Sequence, residues 1–210
     1  NPVIVKDLKE IAKQVKGKVV IDIGANDGTL LSFLPSSMTR VAIDPAPNFM
    51  EEVQKHCDIF LNSYWDGFYA SRKKADTITA IAMMYDLPDP NRFVRKMKEC
   101  LADDGIIIAQ LMTLHPMIEN NDLGNICHEH IEYYSYKSLQ TLLERNGLEI
   151  YKVETNSING GSYRIFARHY KKGSVNFKEK TYGVTELKEF FRRIEKNKAD
   201  FLAFVLKCRT

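Results

Sequence analysis

The sequence predicts an α/β fold in which a mostly parallel sheet carries helices on both faces and ends in an antiparallel hairpin. Short apolar runs alternate along the chain with segments of helical periodicity, and this alternation is typical of parallel sheets. The runs are apolar at successive positions, as expected for strands that are buried on both faces. The last two runs are separated by Asn159-Gly160-Gly161, which has the composition of a hairpin turn.

The first half of the chain contains five predicted strands with helices between them. Ile4, Leu8 and Ile11 recur at helical spacing, so the chain opens with an amphipathic helix that ends near Gly17. The predicted strands cover residues 18–23, 40–44, 58–61, 76–83 and 105–111. The predicted helices between them cover residues 29–34, 48–56 and 90–101.

The second half of the chain adds a helix, the hairpin and a long final helix. These elements are a helix over residues 136–146 that Gly147 ends, strands over residues 148–155 and 162–169, and a helix over residues 185–207. Thr185 is predicted to cap the final helix. We expect one domain over residues 1–170, followed by a C-terminal linker and helix over residues 171–210.

The composition indicates a globular protein and argues against several classes of partner. With 210 residues, 44% of them hydrophobic, the chain is long enough for a full core. A formal net charge of +3 is too small to indicate nucleic acid binding. No apolar run reaches the roughly 18 residues of a membrane span, and the first residues resemble no targeting peptide. The four cysteines form no C-x-x-C pair, so we expect a soluble cytoplasmic protein.

The loop after the first strand has the features of a ligand-binding turn. Gly24 and Gly28 allow a close approach of the backbone, and Asp22 brings a carboxylate to the end of the strand. Asn26 stands where the dinucleotide motif G-x-G-x-x-G has its second glycine, which weakens a dinucleotide interpretation. An acid before G-x-x-x-G suits a cationic amino-acid ligand such as S-adenosylmethionine, and Asp44 is placed for ribose hydroxyls. A plain tight turn remains the alternative.

Five parallel strands followed by an antiparallel hairpin resemble the Rossmann-like fold of the class I S-adenosylmethionine-dependent methyltransferases. The resemblance implies a seven-stranded sheet and a cofactor site at the ends of the first four strands. The implied cofactor-binding residues are Asp22, Gly24, Ala25, Asn26, Gly28, Asp44, Pro45, Asn62, Met83 and Met84. For at least one of the two methionines, filling of the core is the alternative interpretation.

A histidine-rich segment, ICHEHIEYYS at residues 126–135, lies in a predicted connection after the fifth strand. His128 and His130 are two residues apart, so they share a side only if the segment is extended. A metal site would need further ligands, and Cys127, Glu129 and Glu132 do not complete a familiar zinc spacing. We therefore predict no metal.

Several motifs together resemble the sugar C-methyltransferases that act on nucleotide-linked keto-deoxysugars. They are IGANDGTLL (23–31), IDPAPN (43–48), IENND (118–122), HEHIEYYSYKSL (128–139) and INGGSYRIF (158–166). The resemblance implies that His130 is the base that removes a proton beside the ketone, and that His128 and Glu129 orient it or hold the sugar. It also implies a nucleotide sugar as substrate.

The chain departs from the family at three points. Cys127 stands in the place of a tyrosine, and a thiol cannot replace a phenol as donor. Either Tyr85, Tyr133 or Tyr134 supplies the phenol, which we assign to Tyr133, or the substrate differs from that of the family. Asn159 stands where the family often has histidine. Family members carry a zinc domain and a C-terminal α/β domain that this chain lacks, and the final helix resembles the linker to the latter.

Two other functions remain open at this stage. The first is methyl transfer to oxygen or nitrogen of another small molecule, and the second is a binding module without catalysis. The sequence does not identify the sugar, the nucleotide, the methylated carbon or the oligomeric state.

Overall fold

The computed structural model describes residues 1–67 and 73–208, and its centre is one seven-stranded sheet. The strands are β1 Val19–Ile23, β2 Thr39–Ile43, β3 Ile59–Leu61, β4 Ala75–Ile81, β5 Leu101–Met112, β6 Leu148–Asn156 and β7 Ser162–His169. Their order across the sheet is β3-β2-β1-β4-β5-β7-β6. All neighbouring pairs are parallel except those of β7, which runs antiparallel to both β5 and β6. The predicted fold class, a mostly parallel sheet with an antiparallel end, is confirmed.

Seven α-helices accompany the sheet within the described residues. They are α1 Pro2–Ala12, α2 Thr29–Ser32, α3 Met50–Val53, α4 Pro90–Cys100, α5 Leu114–Asn120, α6 Tyr136–Arg145 and α7 Val184–Lys207. Three short 3-10 turns occupy Pro47–Phe49, Met84–Asp86 and Ile158–Gly160. None of the helices in this part of the chain is long and apolar enough to cross a membrane.

The helices cover the sheet on both faces because the strands are apolar on both. All five residues of β1 are buried. One face packs on apolar residues of α4 and α6, such as Met97 and Leu139, and the other on α1, α2 and α3, through Ile11, Leu31 and Val53. Burial of each such side chain contributes about 1.5–3 kcal/mol, so these stripes fix which side of each helix faces inward.

Some predicted boundaries are wrong. The final helix begins at Val184, and its cap is Gly183, whose amide donates to the Glu186 carboxylate at 2.9 Å, so Thr185 lies inside the helix. The helix predicted over residues 48–56 is a 3-10 turn followed by the single turn of α3. Helix α5 was not predicted, because seven residues that include Pro116 show too little periodicity.

The segment between β7 and α7 packs against the sheet domain without regular structure. The Phe177 ring lies 5.2 Å from the rings of both Tyr136 and Tyr163. Glu179 accepts hydrogen bonds from the Tyr136 amide at 2.9 Å and from the Tyr163 hydroxyl at 2.8 Å. The division of the chain at residue 170 stays a prediction.

A buried polar network holds α1 against the carboxyl end of the sheet. The Arg164 guanidinium, on β7, contacts Asp7 Oδ1 at 2.6 Å and Gln110 Oε1 at 2.9 Å. Gln110 also donates to Asp7 Oδ2 at 2.7 Å. Because buried charges are stable only when paired and hydrogen-bonded, this network fixes α1 beside the loop that follows β1.

Candidate active site

The loop after β1 lies at the switch point of the sheet, where β1 is flanked by β2 on one side and β4 on the other. Gly24 and Gly28 have φ angles of +72° and +77°, in the left-handed region that favours glycine. A Cβ on Gly24 would lie 3.2 Å from Met83 Cγ, so a side chain here would crowd the residue after β4. Asn26, with a φ of 52°, is a residue type that tolerates this region.

Asp22 is a buried carboxyl group with few partners. Among the described residues its one hydrogen bond comes from the Thr79 hydroxyl, at 2.6 Å from Oδ1. The pKa of Asp22 is raised to about 7. Burial is the largest cause, the hydrogen bond from Thr79 opposes it, and the nearby Asp44 carboxylate adds to it. A positively charged group beside Asp22 would stabilise its ionised form. Asp22 and the loop line a cavity of about 320 Å³ under α1.

Asp44 connects the loops after β1, β2 and β3. Its Oδ2 accepts from the Asn26 amide and its Oδ1 from the Ala46 amide, both at 2.8 Å. The Asn62 side chain donates to the Asp44 carbonyl at 2.9 Å. Each carboxylate oxygen retains a lone pair, so the pair of oxygens is oriented and still able to accept hydrogen bonds from ribose hydroxyls.

A larger cleft of about 660 Å³ begins at the glycine loop and runs past the end of β4. Of the predicted cofactor-binding residues it is lined by Gly24, Asn26, Asp44, Pro45 and Met83. The other five are placed differently. Asp22 lines the smaller cavity under α1, Gly28 packs against Val53 and His56, and the Asn62 side chain is bonded to the Asp44 carbonyl. Ala25 lines the smaller cavity, and Met84 is buried in the hydrophobic core, because the 3-10 turn directs successive residues to different sides.

One wall of this cleft was not foreseen from the sequence. Trp65 donates from Nε1 to the Phe93 carbonyl at 3.3 Å, and the two rings meet edge to face with centroids 6.4 Å apart. Tyr64 and Arg92 line the same region. The one tryptophan of the chain, in a short polar loop directly after a strand, was the available signal.

The histidine-rich segment crosses the carboxyl ends of β4 and β5. The amides of Ile131 and Glu132 both donate to the Tyr85 carbonyl at 3.0 Å. The Leu114 amide, just after β5, donates to the Tyr134 carbonyl at 2.8 Å. The predicted connection is therefore ordered by backbone hydrogen bonds to the two strand exits that border the cleft.

His130 does not line the cleft itself, but it is the member of the segment whose ring lies beside a residue of the cleft wall, Asp86. Its side chain is 13% exposed, and its ring lies 4.2 Å from the Tyr85 ring. Nδ1 lies 3.0 Å from both the carbonyl and the side-chain oxygen of Asn125. Nε2 lies 4.0 Å from Oδ1 of Asp86, which lines the cleft.

His128 and Glu129 point into solvent. Their side chains are 90% and 60% exposed, and His128 Nε2 contacts Glu129 Oε1 at 3.1 Å. Within residues 1–67 and 73–208 no group of three or more potential ligands gathers in a way that would hold a metal ion. Because the side chains of His128 and Glu129 extend into solvent, they would have to change orientation more than His130 to contact a substrate in the cleft.

The tyrosine nearest to His130 is Tyr85. Its hydroxyl donates to the Ala82 carbonyl at 2.7 Å. Burial raises the pKa of Tyr85 to about 12, with further contributions from Asp86 and Cys127, so the phenol keeps its proton. Tyr133 is about one-third exposed, whereas the Tyr134 hydroxyl is buried without a hydrogen-bond partner among the described residues.

The peptide at Ala82 is strained where β4 enters the cleft. Ala82 has a φ of 56°, which is unfavourable for an alanine. A hydrogen bond from its amide to the Gln110 carbonyl, at 2.7 Å, holds it there. Such conformations persist only when the surroundings impose them, and they concentrate at functional sites. This strain and the left-handed glycine loop meet at the same cleft.

Comparison with known families assigns the class of the protein. A family model described as a methyltransferase domain matches residues 3–153. The chain therefore belongs to the methyltransferase-domain family, and S-adenosylmethionine is the cofactor that this membership indicates.

A more particular relative is the C-methyltransferase NovU of Streptomyces niveus. It is 29% identical over 160 residues, which are 72% of this chain and 37% of NovU. The chain thus spans little more than a third of the length of this relative.

Solved methyltransferase structures share the fold. The mitomycin 7-O-methyltransferase MmcR has a TM-score of 0.61 at 16% identity, over 80% of this chain and 54% of that chain. Magnesium protoporphyrin IX methyltransferase from Synechocystis PCC 6803, solved with bound SAH, has a TM-score of 0.61 at 14% identity, over 79% and 83% of the two chains. At such identities the likeness concerns the fold alone.

Proposed function

We propose that the protein is a C-methyltransferase that methylates the carbon beside the ketone of a nucleotide-linked keto-deoxysugar, with His130 as the base. The observation that carries the proposal is the position of His130 Nε2, beside Asp86 at the rim of the cleft that begins at the glycine loop. The similarity to the C-methyltransferase NovU favours carbon over oxygen or nitrogen as the acceptor.

The carboxylates on the two sides of the glycine loop fit S-adenosylmethionine, Asp22 in the smaller cavity and Asp44 in the cleft. Asp22, buried with a single hydrogen bond, suits the ammonium group, and the two oriented oxygens of Asp44 suit the ribose hydroxyls. Gly24 lines the cleft and has no side chain, so the loop backbone there is open to a ligand. When bound, S-adenosylmethionine supplies a methyl group on a positively charged sulfur, which leaves as a neutral thioether.

The protein's contribution is to make the acceptor carbon nucleophilic. His130 Nε2 takes the proton of the carbon beside the ketone, and the electron pair of the broken C–H bond passes into an enolate. Imidazole suits this step because its titration range includes neutral pH. Asp86 faces the ring at 4.0 Å and would stabilise the imidazolium that forms. Tyr133 remains our predicted donor to the enolate oxygen, which gains negative charge.

The nucleotide sugar and the location of the protein are part of the same proposal. The cleft of about 660 Å³ and its Trp65 wall provide room and an aromatic surface beyond the glycine loop. Cys57, Cys127 and Cys208 are free thiols, which supports a reducing, cytoplasmic location.

The test is transfer of labelled methyl from S-adenosylmethionine to a panel of nucleotide-linked keto-deoxysugars, with the methylated atom located by NMR. We expect a new C–C bond beside the ketone in the wild type and at least a hundredfold slower transfer in His130→Gln, the usual scale for loss of a general base. His169→Gln is the matched control, because β7 is antiparallel to β5 and His169 therefore lies near the start of β5, at the end of the sheet away from the cleft.

The outcomes separate the alternatives. A methyl group on oxygen or nitrogen would replace the proposed acceptor while keeping the enzyme class. Cofactor binding without transfer to any acceptor would contradict the proposal in favour of a binding module.

A further inference from the structure

Asn125 is a residue with a buried polar side chain, immediately before the histidine-rich segment. It is 4% exposed, although the residues on both sides of it are exposed. Its amide nitrogen makes only a weak contact, 3.6 Å from Met117 Sδ. Its oxygen, in contrast, lies 3.0 Å from His130 Nδ1. A buried polar group is costly unless it has a strong partner, and here that partner is the histidine ring.

The backbone carbonyl of Asn125 decides which nitrogen of His130 carries the proton. A carbonyl oxygen can only accept, and it lies 3.0 Å from Nδ1, so Nδ1 must donate. The side chain of Asn125 then presents its oxygen to the same N–H, which also settles the orientation of the carboxamide. In a neutral ring, Nε2 is left without a proton and with its lone pair available.

We propose that Asn125 is a positioning residue that holds His130 in the Nδ1–H tautomer and thereby reserves Nε2 for the substrate proton. The inference rests on the proposed function for its catalytic meaning, but the tautomer itself does not depend on any substrate. When Nε2 takes a proton, the resulting imidazolium keeps its Nδ1–H bond to the two Asn125 oxygens. The same contacts therefore serve both states of the base.

Other groups around the ring act mainly on its charge. The Asp86 carboxylate also favours a proton on Nε2, but at 4.0 Å it is too far for a hydrogen bond, whereas both Asn125 oxygens lie within hydrogen-bonding distance of Nδ1. Asp86 faces Nε2 at 4.0 Å, the Tyr85 ring lies against one face, and the exposed Glu129 acts at longer range. Asp86 has its pKa raised by burial and lowered by His130. Among the described contacts only Asn125 engages Nδ1 by hydrogen bonds.

The test is long-range nitrogen NMR of histidine-labelled full chain, without substrate, in wild type, Asn125→Asp and Asn125→Leu. His130→Gln assigns the signal. In wild type we expect a protonated Nδ1 and an unprotonated Nε2. Asn125→Leu retains only the backbone acceptor, so a substantial fraction of Nε2–H tautomer should appear. In Asn125→Asp the added carboxylate should move the ring's titration midpoint upward by about one pH unit. Asn146→Asp, at the buried asparagine that caps the C-terminus of α6, is the charge-matched control and should move the midpoint by less than a few tenths of a pH unit.

A wild-type signal with Nε2–H, an unchanged tautomer in Asn125→Leu, or an unchanged midpoint in Asn125→Asp would overturn the inference. If Asn125→Leu does not fold, the near-isosteric Asn125→Asp still decides by its midpoint. Failure of the proposed function is seen separately, as a His130→Gln variant that still transfers methyl groups. In an active enzyme, Asn125→Leu should lower the rate of proton removal about tenfold and leave the affinity for S-adenosylmethionine unchanged.

Discussion

Two buried carboxylates, one on the central strand β1 and one on the edge strand β6, have pKa values that are shifted in opposite directions. Glu149, near the start of β6, accepts from the amides of Lys171, Lys172 and Gly173 at 2.6–2.9 Å and from Arg168 at 2.8 Å. Burial alone would raise the pKa of Glu149, but these donors outweigh it and lower the value to about 2.

Asp22, at the carboxyl end of β1, has one hydrogen bond and a pKa raised to about 7 by burial. The two pKa shifts differ in direction because both groups are buried but only Glu149 has a full set of hydrogen-bond donors. A satisfied carboxylate stabilises the fold, whereas an unsatisfied one at the ligand edge of an α/β sheet is prepared for a cation.

The largest effect on stability is expected at Glu149. Glu149→Gln removes the charge that three amides and Arg168 surround, so it should lower the free energy of unfolding by about 3 kcal/mol. Urea denaturation at pH 7 measures this change. The exposed Glu10→Gln, whose partner is Lys13, is the control and should leave the free energy of unfolding nearly unchanged, because water screens this surface pair. A loss at Glu149 no larger than that of the control would refute the contrast.

The second effect is the pH dependence that Asp22 imposes. Because its pKa is higher in the folded state than its ordinary value of 3.8, Asp22 contributes stability that is complete below that value and lost as pH rises through about 7. Glu149 has a lowered pKa, so its contribution is constant above its ordinary 4.5 and lost only toward pH 2.

Between pH 5 and pH 8 the stability advantage of Asp22→Asn over wild type should therefore grow by about 2.5 kcal/mol. Denaturant titrations of both proteins at four pH values measure it. Parallel curves for the two proteins would show that Asp22 is not the group with the raised pKa.

The third effect concerns the cofactor. Asp22→Asn removes the carboxylate that we propose as the partner of the ammonium group, so the affinity for S-adenosylmethionine at pH 8 should fall about tenfold, which corresponds to about 1.4 kcal/mol. In wild type the affinity should also decrease as pH falls below about 7, because a protonated Asp22 no longer attracts a cation. Calorimetric titration measures both. An Asp22→Asn protein that is more stable and binds as tightly as wild type would break the assignment of Asp22 to the cofactor.

The sequence predicted what is encoded locally. The left-handed glycine loop follows from Gly24, Asn26 and Gly28 themselves, and the spacing from Asp22 to Asp44 follows from one β-α-β unit. The fold class was predictable for the same reason, because strand burial and turn residues are read from neighbours along the chain.

Long-range pairing was not predictable. Nothing in the segment around His130 indicates that its ring lies on Tyr85, 45 residues earlier, or near Asp86. The burial of Met84 beside the cleft-lining Met83 depends on a 3-10 turn that propensity does not reveal. Asn125 was overlooked because its partner, the Nδ1 of His130, becomes evident only with coordinates.

Cys127 marks the point where the resemblance to the sugar C-methyltransferases is weakest. Its side chain is exposed and stands where the family has a tyrosine, while the phenol closest to His130 is Tyr85. The Tyr85 hydroxyl already donates its hydrogen bond to the Ala82 carbonyl. It could donate to an enolate only by giving up that hydrogen bond.

The most direct test of the account is hydrogen exchange at the acceptor carbon. A nucleotide-linked keto-deoxysugar is incubated in deuterated water with the protein and without methyl donor, and deuterium beside the ketone is followed by NMR. We predict exchange with wild type and with His169→Gln, and at least a hundredfold slower exchange with His130→Gln. Exchange that proceeds equally well in His130→Gln would contradict the claim that His130 generates the nucleophilic carbon.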